Sequence, residues 1–322
     1  MDRYHQGSLA VQEKVGVREL AEHVGRSIGP GIRDVAAAFL ALQPHLVVGA
    51  ADGAGRLWAS LLTGAPGFAR ATGPDRIAVS GGLPDGDPLA GALAADGTRV
   101  GTIALDPRTR RRMRLNGTVA VTPGGFAVAA EEVFSNCPKY LQKRQPLGPV
   151  AEGPGVVRRS RALTPDQERA VRAADTFFVA TTAGAGGADA SHRGGMPGFV
   201  EVLSPTVLRW PDYPGNAMFL TLGNLALDDR AGLLFPDWEG GGLLQLSGRA
   251  RTGFGADGSR SVRFRVESVV ESLHPGRLLW SAPEYSPANP VVPANPVVPA
   301  SPAVPAMSGG AADRPHRGRT TR

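Results

Sequence analysis

Asp189-Ala190-Ser191-His192-Arg193-Gly194-Gly195-Met196-Pro197-Gly198-Phe199 repeats an earlier stretch, Trp58-Ala59-Ser60-Leu61-Leu62-Thr63-Gly64-Ala65-Pro66-Gly67-Phe68. A shift of 131 residues aligns the two without a gap over about seventy residues. Pro74 then falls on Pro205, Gly101 on Gly232 and Asp106 on Asp237. Leu115 and Gly117 fall on Leu246 and Gly248, and Leu46-Val47-Val48 on Phe177-Phe178-Val179. Two copies of one small unit in a single chain imply a pseudo-dimer. A homodimer interface is self-complementary, and a fused duplicate keeps that interface while its halves diverge. The positions where the copies differ are therefore the informative ones.

Outward from the repeat, each copy consists of short apolar runs cut by Gly, Pro and Asp. Leu46–Ala50, Ile77–Ser80, Val100–Leu105 and Met113–Leu115 read as strands in the first copy, and Thr176–Thr181 in the second. Frequent turns between short strands point to a barrel or sandwich. A helix precedes each copy. In the first, Val17, Leu20, Ala21, Val24 and Ile28 recur at helical spacing, Gly29-Pro30-Gly31 interrupts, and a second helix runs from about Ile32 to Leu42. In the second, Thr164, Pro165 and Gln167 form a capping-box start. The expected division is 1–42 helical, 43–144 first repeat, 145–163 a Gly- and Pro-rich linker, 164–285 second repeat and 286–322 a disordered Pro-rich basic tail. The tail repeats Ala-Asn-Pro-Val-Val-Pro from Ala288 and again from Ala294, which suits polyproline II and no packed core. It reads as a solvated tail or as a docking segment with an arginine tip.

Four differences between the copies carry chemistry. Alternation along a strand from Ala188 to Arg193 puts Asp189, Ser191 and Arg193 on one face, with Gly194 and Gly195 allowing close approach. A hydroxyl, a guanidinium and free backbone N–H groups make a phosphate cradle. The first copy has Trp58, Ser60 and Leu62 there, so one such site per chain is expected, although Arg193 also reads as an ordinary surface ion pair. Second, Arg110, Arg112 and Arg114 share a strand face where the other copy has Gly241, Leu243 and Gln245. Like charges on one strand face repel unless anions meet them, so the face reads equally as contact with a ligand phosphate or with acidic groups of the other half, or as a solvated face. Third, Asn136-Cys137-Pro138-Lys139-Tyr140 reads as a helix start capped by Asn136, which places Lys139 to reach an anion. Fourth, Asn216 and Asn224 sit in polar segments amid turn and helix signals, and serve equally as ligand or cap residues.

Bulk composition narrows the classes. Hydrophobic residues at 42% and charged residues at 20% describe a globular chain. No run approaches a membrane span and no apolar leader opens the chain, so a cytoplasmic protein is expected. Cys137 is the single cysteine and the six histidines show no ligand spacing, so no metal site is expected. The net charge of +6 is almost all arginine. Without a nucleic-acid motif it reads as compositional bias, and nucleic acid is an unlikely partner.

These residues resemble the pyridoxamine 5′-phosphate oxidase-related FMN-binding proteins of the split-barrel type. The resemblance covers about residues 3–285. It rests on Asp189–Phe199, Pro214–Asn216, Leu222–Leu225, Gly232–Phe235 and Leu246–Ala250 in the second half, and on Trp58–Gly64, Thr109–Gly117 and Asn136–Tyr140 in the first. It implies a mainly β chain with peripheral helices (α+β), built as two tandem FMN-binding split β-barrels forming an intrachain pseudo-dimer. FMN would lie between the barrels. Asp189, Ser191, Arg193 and Gly194 would form its phosphate cradle, Asn216 and Asn224 would be secondary contacts, and Lys139 and Arg112 would reach in from the other half. Family members often carry an arginine before the Asn of the Leu-x-Asn segment, where this chain has Gly223. The implied activity is an FMN-dependent oxidoreductase on a small molecule, with NADH or NADPH as a candidate electron donor and further homodimerisation allowed. The alternative is a non-catalytic binder or sensor of flavin, deazaflavin or haem.

Overall fold

The computed structural model describes residues 3–149, 155–184, 187–273 and 278–291. The chain is mainly β and antiparallel, with few helices. Three helices come first: α1 (Gln6–Val15), α2 (Arg18–Gly25) and α3 (Asp34–Ala41). Gly16, at φ 73°, ends α1 in the left-handed conformation that glycine adopts without strain. No helix among the described residues is long and apolar enough to cross a membrane.

The first sheet contains β1 (His45–Ala51), β2 (Leu57–Thr63), β3 (Ala69–Gly73), β4 (Arg76–Ser80), β5 (Arg99–Asp106), β6 (Arg111–Thr122) and β7 (Gly125–Ser135), with the short α4 (Ala90–Leu93) before β5. Between the sheets lie β8 (Pro146–Pro149), β9 (Val156–Ser160) and α5 (Pro165–Ala173). The second sheet contains β10 (Thr176–Thr182), β11 (Ala188–Gly194), β12 (Glu201–Ser204), β13 (Val207–Pro211), β14 (Arg230–Pro236), β15 (Gly242–Phe254) and β16 (Arg260–Leu273). Helix α6 (Leu220–Leu227) precedes β14, and β17 (Leu278–Trp280) follows β16.

Strand order is β2-β1-β5-β6-β7-β4-β3 in one sheet and β11-β10-β14-β15-β16-β13-β12 in the other, the same path taken twice. The bulges coincide as well. Register slips at Asn116/Gly117 between β6 and β7, and at Ser247/Gly248 between β15 and β16. Glycine is required at both bulges: a Cβ would lie 1.9 Å from the Ala129 carbonyl oxygen at Gly117, and 1.9 Å from that of Arg265 at Gly248.

Each sheet wraps its own apolar core, one around Trp58, Phe68, Ile77 and Phe126, the other around Phe177, Phe199, Trp210 and Phe264. A third core joins them, and it is reciprocal: Val47, Ala59 and Ile103 pack with their own counterparts Phe178, Ala190 and Leu234. The backbones touch. A Cβ on Gly101 would lie 2.4 Å from Asp189 Cα, and one on the equivalent Gly232 would lie 2.5 Å from Trp58 Cα. Gly49 meets its own counterpart Ala180.

Four sequence expectations are corrected. The expected linker 145–163 holds two strands: β8 pairs with β17, and β9 extends the second sheet along β16. Asn136 starts no helix. Residues 136–140 form an irregular turn whose Cys137 and Lys139 carbonyls accept hydrogen bonds from Arg112, which holds them out of helical register. Arg110 is not on the face shared by Arg112 and Arg114. It sits in the preceding turn at φ 56° and donates to the Leu141 and Tyr285 carbonyls. The tail does not begin at 286, because the Ser286 N–H and the Asn289 amide both donate to Gln142 Oε1. The repeats beyond Val291 lie outside the described residues.

Candidate functional site

A cleft opens where β6 and the 136–140 turn of the first half meet β11 and the 211–222 segment of the second. The cleft offers about 130 Å³ of space. Alternation on β11 turns Asp189, Ser191 and Arg193 to one side, as the strand reading required. The first half supplies Arg114 against them: its guanidinium pairs with the Asp189 carboxylate, and both groups are buried. Asn116 Nδ2 donates to the same carboxylate at 3.3 Å, and Ser191 Oγ accepts from Thr221 Oγ1 at 3.1 Å. Arg114 also stacks on the Phe134 ring at 4.6 Å.

Arg112, two residues before Arg114 on the same strand face, lines the cleft from the first-half side. It approaches His192 Nδ1 at 2.8 Å and donates to the carbonyls of Cys137 and Lys139, so its hydrogen-bond partners are all neutral. Burial, with the charges of Arg114 and Arg193, pushes its pKa down to about 10, which leaves it charged at neutral pH. Burial lowers Arg193 too, and Asp212 partly offsets this. Arg193 donates to the His192 carbonyl at 3.0 Å. His192 is held neutral, its pKa driven well below the ordinary value by burial and then by Arg112 and Arg193. Burial raises both Tyr140 and Tyr213. These two rings, one from each half, pack at 5.1 Å, and Tyr140 OH donates to the Pro214 carbonyl at 2.9 Å.

Backbone strain gathers here. Tyr140, Ala217 and Phe219 adopt left-handed φ values of 65°, 62° and 54°, and all three line the cleft. Such conformations cost free energy and persist where surrounding structure fixes them. Gly194 is fixed by contact with the other half, since a Cβ would lie 2.0 Å from the Tyr140 carbonyl oxygen.

Six of the eight residues singled out from sequence line this cleft: Arg112, Lys139, Ser191, Arg193, Gly194 and Asn216. Asp189 lies behind them, tied to Arg114. Asn224 is elsewhere, buried within α6, bonded to Thr181 Oγ1 at 2.9 Å and to His5 Nε2 at 2.8 Å. Its role is to fasten α1 and β10 to α6. Asn216 turns its Oδ1 back to the Met218 N–H at 3.2 Å, a local turn bond. Thr221, His192 and the two tyrosines were not singled out as ligands. Arg114 was, through the strand face it shares with Arg112.

The equivalent place in the first half is closed by the chain itself. The buried Asp87 carboxylate accepts from Ser60 Oγ at 2.7 Å, the Leu89 N–H at 2.9 Å and Gln245 Nε2 at 3.2 Å. Leu62 and Leu243 stand where the other cleft has Arg193 and Arg112. Trp238, Trp280 and His45 pack the remainder.

No family profile matches the chain, and no curated protein matches it. Several solved structures resemble parts of it, among them three with the following likeness. One is a protein assigned as a pyridoxamine 5′-phosphate oxidase from Lactobacillus delbrueckii, with 15% identity over 34% of this chain and 94% of that one, at a TM-score of 0.29. A variant of HupZ from Group A Streptococcus matches at 13% identity over 34% of this chain and 99% of its own, also with a TM-score of 0.29. A second HupZ structure gives 14% identity, 36% and 91% coverage and a TM-score of 0.25.

Proposed function

We propose that two tandem split β-barrels, joined as an intrachain pseudo-dimer, hold one FMN in the cleft between them, and that the protein is an oxidoreductase acting on a small molecule. The observation that carries this is the convergence of Arg112 from one half and Arg193 from the other on a buried space, neither with a carboxylate in hydrogen-bonding contact. Two desolvated cations facing one space call for an anion.

The donor set fits a phosphate. Arg112 Nε, Arg114 Nε and His192 Nε2 are buried without hydrogen-bond partners, and all three residues line the cleft. The cleft volume is smaller than the several hundred Å³ typical of a whole-ligand pocket, so it suits the phosphate end of a flavin, with the rest of the ligand outside it. Arg112, Arg193 and Lys139 would neutralise that end, and Ser191 and Thr221 would orient it. Arg114 is spent on Asp189, so it shapes the site and does not add net charge. Bound FMN supplies hydride or electron transfer. The chain's part is to fix its position and to exclude water beneath the Tyr140–Tyr213 pair.

A binder or sensor is the second reading. It is favoured by the shifts of three cleft side chains, His192, Tyr140 and Tyr213, all away from neutrality, where acid–base work is most effective.

An absorbance spectrum of purified protein, with the cofactor released by heat and identified by mass, tests the first claim. One FMN per chain is expected, and Arg193→Leu should lose it. Colourless protein that cannot be reconstituted with FMN would overturn the flavin reading. Oxidation of NADH or NADPH by the loaded protein supports the oxidoreductase, whereas redox-silent flavin supports the sensor.

A further inference from the structure

Strand β16 alternates Val262, Phe264 and Val266 inward with Arg263 and Arg265 outward. Its neighbours do the same. Arg209 on β13 and Arg251 on β15 stand directly opposite Arg263 from either side, and Arg249 stands opposite Arg265. The result is a row of three arginines across three strands, with a row of two beside it, all exposed. Like charges directly opposite on a sheet destabilise the pairing. Acids answer part of this: Glu201 holds Arg209, Asp229 and Glu267 hold Arg249, and Asp229 also lies 3.8 Å from Arg251. Arg263 and Arg265, at the centre, have no ion pair among the described residues.

The duplication supplies an internal comparison. At the five matching positions the first sheet has Ala78, Ala127, Ala120, Ala129 and Thr118, paired in the same registers. A general bias toward arginine would act on both copies. Here five arginines stand on one face of one copy, where the matching positions of the other copy are small and neutral.

We propose that this face binds duplex nucleic acid through its phosphate backbone. Planar guanidinium groups pair with phosphate oxygens in bidentate fashion, and a protein that neutralises phosphates gains affinity by releasing counterions. On β12, β13, β15 and β16 the exposed large hydrophobics are Leu203 and Leu273, both aliphatic and near strand ends. The face thus has no exposed aromatic on which an unpaired base could stack, and no wedge to enter a bilayer. Docking on a duplex backbone needs neither. Binding of this kind positions the protein and reads no sequence.

The test is fluorescence anisotropy of the full chain with a labelled mixed-sequence DNA duplex of about 20 base pairs, titrated across salt. Affinity should fall linearly in a log–log plot. Arg263→Ala/Arg265→Ala should weaken binding at least tenfold at low salt and reduce the slope by about 2, at roughly 0.9 for each phosphate no longer neutralised. Arg70→Ala/Arg76→Ala on the first sheet removes the same charge and should change neither. Equal losses in the two variants would mean that only net charge is at work and would overturn the proposal. So would the lack of binding at about 50 mM salt, or tighter binding to phosphatidylserine vesicles than to the duplex. Arg193→Leu should leave DNA binding intact, which keeps this result separate from that of the cleft.

Discussion

His45 is fully buried between Trp238 and Trp280, edge-on to both at 5.8 and 5.5 Å, and neither ring nitrogen has a hydrogen-bond partner. Burial lowers its pKa to about 4, Asp106 opposing and Arg108 adding. The unfolded chain therefore takes up a proton near pH 6.5 that the folded one refuses until about pH 4. Stability falls with pH across that window and levels off below it, by roughly 3 kcal/mol for this residue. His192 acts in the same direction. His45→Phe should flatten part of the loss, measured as the difference in urea midpoint between pH 7 and pH 4.5. An unchanged difference would contradict the assignment. At this scale the sequence was readable where one strand sufficed: period-two alternation places Ser191 beside Arg193. It pointed to acids of the other half as partners of the Arg110–Arg114 face but could not pick Asp189 for Arg114, since that pair spans both halves and no local pattern encodes it.

Among the elements, α1 and α6 pack through glycine. A Cβ on Gly7 would lie 2.2 Å from the Gly223 carbonyl oxygen, and one on Gly223 would lie 2.4 Å from Ser8 Oγ. This is the physical reason for glycine at position 223: the N-terminal helix occupies the space that a side chain would need. Gly223→Arg should pry α1 away and cost about 1–3 kcal/mol or more, seen as a lower denaturant midpoint. An unchanged midpoint would mean that α1 is not held there. The capping box was legible before α5 and is present, with the Thr164 N–H donating to Gln167 Oε1 at 3.0 Å and the Gln167 N–H to Thr164 Oγ1 at 3.3 Å. Strands β8 and β9 were not legible, because their short Gly- and Pro-bearing segments have no period and owe their form to β17 and β16, more than a hundred residues onward.

For the whole molecule, the reciprocal packing at Gly101 and Gly232 makes a symmetric prediction. Gly101→Val and Gly232→Val should each lower the melting temperature. The double variant should lose less than the sum, because both open one interface. Strict additivity would mean that the two positions act independently. The 131-residue shift revealed the duplication because each copy kept its turns and glycines. The face that joins the copies could not be read, since its apolar residues look like any core. That face also sets a schedule. At a synthesis rate of 5–20 residues per second, the second copy trails the first by roughly 7–26 s. Throughout that interval Val47, Ala59 and Ile103 of the nascent first half wait without their partners. On a crowded polysome the neighbouring chains offer the same surface, so the order of emergence from the ribosome decides whether each half marries its sibling or a stranger.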